Sequence, residues 1–90
     1  MKDRSTAKGL VHYLGLTPRH ALAARREAER AETSGNLDHA LDTWMLALAL
    51  APTEDSPWHG AARVLRRLGR SEESRQILAS LLALKKRSSS

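Results

Sequence analysis

Four histidines, two arginine-rich stretches and a basic run at Lys85-Lys86-Arg87 are the parts of this sequence that could do chemistry. His12, His20, His39 and His59 hold no zinc-ligand spacing: none pairs at i, i+4, and there is no cysteine to complete a site. Serines accompany the histidines, yet no glycine-flanked nucleophile elbow or ordered triad is present. No Gly-rich phosphate loop occurs either. Glu27, Glu29 and Glu32 interleave with Arg25, Arg26 and Arg30. That spacing gives i, i+3 and i, i+4 ion pairs, which support a helix and do not make a carboxylate pair for acid–base work. The Lys85-Lys86-Arg87 run could meet a phosphate, but it reads better as a solubilising helix end that complements the dipole. The expectation is a binding protein: no enzyme, no cofactor, no metal and no small-molecule substrate.

Composition narrows the partners. A chain of 90 residues is a single small domain, able to bury about 60–65% of the surface it exposes when unfolded. It has no cysteine, so no disulfide framework supplements the core. MKDRSTAKG is polar and charged, unlike a secretory signal. The longest apolar stretches, Trp44–Ala51 and Ile77–Leu84, fall far short of the roughly 20 residues that span a bilayer. These features predict a soluble, cytoplasmic protein with no membrane partner. Lys and Arg outnumber Asp and Glu by 15 to 10, a net charge of +5. That excess suits an acidic protein or nucleic acid alike. Only Tyr13, Trp44 and Trp58 are aromatic and Phe is absent, which argues against a base-stacking surface.

The elements that must position these groups are helical throughout. Residues 1–9 read as an arm, and the apolar segment 10–16 (Leu10, Val11, Tyr13, Leu14, Leu16) is expected to pack against the first helix pair. Thr17-Pro18 has the form of a helix start, and strong helix formers continue to about Ala31, short of Gly35. A second helix is expected from Leu37 to about Ala51, stopped by Pro52. Leu37, Ala40, Leu41, Trp44, Leu48 and Ala51 form its stripe. Met45, Leu46, Ala47, Ala49 and Leu50 make it apolar nearly all round, as expected of a helix buried on every face. Ser56-Pro57 predicts a third helix over Trp58–Leu68, and Ser71 caps a fourth, with Glu72 and Glu73 against its dipole.

Gly35 and Gly69 end comparable helical patterns 34 residues apart, the period of one particular helix–turn–helix repeat. Trp58, Ala61, Ala62 and Leu65 fall at the front-half signature spacing of that repeat. Ala40, Trp44, Ala47 and Pro52 fall at its back-half spacing. The chain therefore resembles a tetratricopeptide repeat protein over residues 21–88. Ala24, Glu27, Ala28 and Ala31 stand where large residues are usual, and Ser74, Leu78 and Leu81 replace a small, aromatic, small set. The resemblance implies an all-α fold of two stacked helix pairs, a short α-solenoid or small bundle. Its units would be residues 17–54 and 55–84, followed by a basic, serine-ended tail at 85–90. Gly35, Ala40, Trp44, Ala47, Pro52, Trp58, Leu65 and Gly69 would be structural.

The family's inner surface is lined by the first helix of each pair. Carried onto this chain, it would gather Arg25, Glu29 and Glu32 with His59, Arg63, Arg66 and Arg67. Arg forks suit carboxylates, so such a groove would take an acidic or helical peptide segment. Alternatively, RRLGR is a solvated helix end. Repeat arrays need about three units and a polar cap, and KKRSSS offers none after Leu84. Leu78, Leu81 and Leu82 are therefore expected to await a cover: the N-terminal segment, a second copy as a homodimer, or a partner protein, the last being favoured. The leading expectation is an adaptor or small chaperone, similar in size and repeat to the small chaperones of bacterial secretion systems. The alternative rests on GNLDHALDTW followed by Trp58, which is similar to short bacterial negative regulators of virulence genes. Such a regulator would act through protein partners, or on DNA through RVLRRLGR.

Overall fold

The computed structural model describes residues 19–89 and is all-α. Its helices are α1 (His20–Thr33), α2 (Leu37–Leu50), α3 (Asp55–Arg67) and α4 (Ser71–Ser89), and each packs on the next in chain order. The expected arm, the 10–16 segment and the Thr17-Pro18 start lie outside the described residues.

Two glycine turns set this arrangement. Gly35 has φ +82° and Gly69 φ +80°, backbone that costs an L side chain strain and glycine none. Around Gly35 the amide of Asn36 reaches the Ala31 carbonyl at 2.9 Å, and that of Gly35 reaches Glu32 at 3.1 Å. Around Gly69 the amide of Arg70 reaches Leu65 at 2.8 Å, and that of Gly69 reaches Arg66 at 3.0 Å. Both are Schellman ends, in which two otherwise orphaned carbonyls are satisfied by the departing chain. Asn36 then starts α2 by accepting the His39 amide on its side-chain oxygen.

Other boundaries depart from expectation. The third helix begins at Asp55, not Trp58, so Pro57 is inside its first turn and Ser56 does not cap it. Proline is tolerated there because first-turn amides have no intrahelical acceptor to lose. Ser71 is the first residue of α4, and the Arg70 carbonyl accepts the first helical bond, from Ser74. The expected tail is also helical through Ser89. Lys and Arg are good helix formers that complement the C-terminal dipole, and Lys85 Nζ meets Asp55 Oδ2 at 2.6 Å, tying this end of α4 to the start of α3.

The core is built on size complementarity. α1 buries only alanines, Ala21, Ala24, Ala28 and Ala31. Opposite them α2 supplies Ala40, Trp44, Ala47 and Leu50. Trp44 is 1% exposed and fills the space that the small residues leave. Its ring lies on Gly60 of α3, where a Cβ would fall well inside contact with Cδ2, Cε2 and Cε3. The expected structural residues Ala40, Trp44, Ala47, Trp58 and Leu65 are all buried, while Pro52 is an exposed turn residue. Pro52 nonetheless accepts the Trp58 indole N–H on its carbonyl at 2.9 Å. Ser74, standing in α4 where α2 has Ala40, is 3% exposed and donates its hydroxyl to the Ala62 carbonyl at 2.8 Å.

Candidate functional site

Two clefts lie between helices that are not neighbours in the chain. The first, between α1 and α3, is lined by Glu29, Glu32, Thr33, Arg63 and Arg67 and has a volume of about 300 Å³. It gathers four of the residues named above for an inner groove, Glu29, Glu32, Arg63 and Arg67, and their charges face one another. Arg63 grips Glu32 with two hydrogen bonds, Nε to Oε2 at 2.5 Å and Nη2 to Oε1 at 2.9 Å. Glu32 Oε1 also accepts the Trp44 indole N–H at 3.2 Å, the partner that a buried indole requires. Arg67 approaches the same carboxylate at 3.9 Å. The Arg63 guanidinium lies 5.9 Å from the Trp44 ring centroid, within cation–π range. The hydrogen bonds from Arg63 hold the Glu32 carboxyl below its usual range, against the opposing effect of burial. They raise Arg63 in turn.

The remaining groove residues divide, and Arg25 lies outside this cleft. Arg25 stands 3.8 Å from Glu54, and the charge of Glu29 also acts on Arg63. His59 and Arg66 are exposed, and neither lines this cleft. The structure brings Glu29, Glu32, Arg63 and Arg67 together, as expected, but as a neutralised cluster in place of an open basic groove. Opposite charges on facing helices satisfy one another before any ligand arrives.

The second cleft, between α2 and α4, holds about 370 Å³. Leu41 and Met45 of α2 and Ile77 of α4 form its apolar surface with Leu65 of α3, and Arg70, Glu73, Gln76 and Ser80 add its polar edge. Met45 is 41% exposed. Arg70 and Glu73 form a two-point ion pair at 2.7 and 2.8 Å, which holds the Glu73 carboxyl below its usual range. Asp38 acts electrostatically on Arg70 from α2. The sequence alone does not single out this cleft. The available signal was the apolar character of α2 on every side, which promised more cover than α1 and α3 provide.

The expected uncovered trio on α4 divides. Leu82 is 60% exposed and Leu78 is half-buried, but Leu81 is 7% exposed and belongs to the interior. Leu81 is a correction with a simple cause. It shares the inward face of α4 with Ser74, Ile77 and Leu78 at i, i+3, i+4 and i+7, whereas Leu82 is one step, about 100°, round the helix.

Among the described residues, no three His, Cys, Asp or Glu side chains converge as a metal site would require. No described helix is long and apolar enough to cross a membrane. Comparison with protein-family models, with curated proteins and with solved structures gives no match to this chain.

Proposed function

We propose that the chain is a non-enzymatic protein-interaction module, two tetratricopeptide-like helix pairs whose last helix holds an acidic helical segment of a partner protein. One observation carries the reading. Leu82 is 60% exposed, whereas Leu48, 34 residues earlier in α2, is half-buried. Trp44 and Leu78 stand in the same relation: the first is packed on Gly60 of the following helix, and no described helix follows α4. A helix packing on α4 as α3 packs on α2 would cover Leu78 and Leu82. The net charge of +5 favours an acidic segment. An adaptor, or a small chaperone that shields an apolar helix of its client, fits this chemistry. The DNA-binding alternative has less support, because Arg63 and Arg67 already face Glu32.

The test uses a fluorescein-labelled, stapled helical peptide with leucines at i, i+3, i+4 and i+7 and glutamates beside them. Anisotropy titration should give saturable binding. Leu82→Ser should weaken it at least about tenfold, as expected for loss of a buried leucine contact, with the circular dichroism spectrum unchanged. Equal affinity for the variant, or no saturation, would overturn the proposal. A mass that doubles on concentration and falls with Leu82→Ser would assign the face to a second copy instead.

A further inference from the structure

We infer that the cleft between α2 and α4 is a second docking site, and that it takes a cationic amphipathic helix, opposite in sign to what the net charge suggests. The apolar lining supplies the first half of the argument. Leu41 and Met45, one turn apart on α2, face Ile77 on α4 across Leu65. This is the geometry of a trough that receives anchors from one face of a helix. Met45 suits such a place, because an unbranched thioether side chain adapts to the shape it meets.

Charge supplies the other half. Asp38, Leu41, Asp42 and Met45 stand at i, i+3, i+4 and i+7 of α2 and so form one stripe. Asp38 and Asp42 therefore flank Leu41 and Met45 on the same side of α2, next to the cleft lining, and both are exposed. Glu73 edges it from α4. Within the lining Glu73 and Arg70 balance, paired at 2.7 Å, so the excess negative charge comes from Asp38 and Asp42 beside it on the α2 stripe, Asp38 acting on Arg70. The α2 side of the cleft is thus flanked by negative charge on a chain of net charge +5. An incoming helix with apolar residues on one side and Lys or Arg beside them would meet apolar walls and unbalanced carboxylates together. An anionic helix would meet repulsion along the α2 edge.

The site is independent of the bare side of α4, and the experiment keeps the two apart. The probe is the same stapled peptide with lysines in place of glutamates, titrated into the full chain. It should saturate and weaken as salt is raised. Asp38→Asn with Asp42→Asn should lower its affinity about tenfold, while Leu82→Ser leaves it unchanged. Both aspartates are exposed, so the double variant should keep the helical spectrum of the parent. Affinity that ignores the two Asp→Asn changes, or that falls with Leu82→Ser, would overturn the inference, as would failure to saturate. The chain's own Lys2, Arg4 and Lys8 precede an apolar segment and could compete for the trough. If replacing these three by Gln raises peptide affinity about tenfold, the cleft belongs to that segment and the partner assignment fails.

Discussion

The cleft between α1 and α3 and the cleft between α2 and α4 have similar volumes, about 300 and 370 Å³, and opposite chemistry. In the first, Arg63 and Arg67 converge on Glu32, and Glu32 also accepts the Trp44 indole. In the second, Leu41, Met45, Leu65 and Ile77 meet no further helix among the described residues, and Asp38 and Asp42 flank the α2 side. A cleft lined by complementary charges completes itself and stiffens the molecule. One lined by apolar side chains gains nothing from its own members in this way, and among the described residues no further element removes that surface from water. The arginine-rich cleft is thus internally paired, while the apolar one leaves Met45 41% exposed among the described residues.

The largest effect on this contrast is expected at Gly60. Gly60→Ala would drive a methyl group into the Trp44 ring and force α2 and α3 apart, disturbing both clefts together. Overpacking costs about 1–3 kcal/mol, against a gain of up to about 1 kcal/mol from better helix propensity. Thermal unfolding should fall by several degrees, at about 4–8 °C per kcal/mol for a domain of this size. An unchanged or raised midpoint would show that the α2–α3 contact is loose.

Glu32→Gln should open the first cleft selectively. It removes the charge that Arg63 and Arg67 face but keeps an acceptor for Trp44, so a loss of about 1 kcal/mol is expected. The pH dependence gives a sharper reading. The folded-state pKa of Glu32 is depressed, so its contribution is whole above the ordinary glutamate value of about 4.3. It is lost as pH falls through the lower folded value. The wild-type chain should therefore lose stability over that acid range more steeply than Glu32→Gln, and parallel melting curves would remove Glu32 from its central role. The smallest effect belongs to the second cleft: Met45→Ser, at a 41% exposed position, should change stability by less than about 1 kcal/mol. A larger loss would mean that the chain already fills the cleft.

The parts of the fold visible in the sequence are those with local causes. Gly35 and Gly69 are legible because a helix that ends in left-handed backbone favours glycine there. Trp44 among Ala40 and Ala47 is legible because its spacing marks one helix face. The obscure parts depend on distant chain. Gly60 looks like a weak point in a helix until Trp44 is placed on it. Glu32 is joined to Arg63 in the sequence only through the repeat resemblance, and its indole contact with Trp44 is not legible there at all, since the partners lie 31 and 12 residues away. Leu81 and Leu82 are adjacent in an apolar run, and only the direction from which α3 approaches makes one interior and the other surface.

The two indoles also give this small chain a built-in optical readout. Trp44 lies at the joint of α1, α2 and α3 beneath a guanidinium, and Trp58 is tethered to the loop carbonyl of Pro52. With no other tryptophan present, emission excited at the red edge of the indole band, where Tyr13 does not absorb, reports those two environments. Single Trp→Phe versions would assign the two signals separately, so that a ligand acting on the joint could be told from one acting on the loop without attaching a dye.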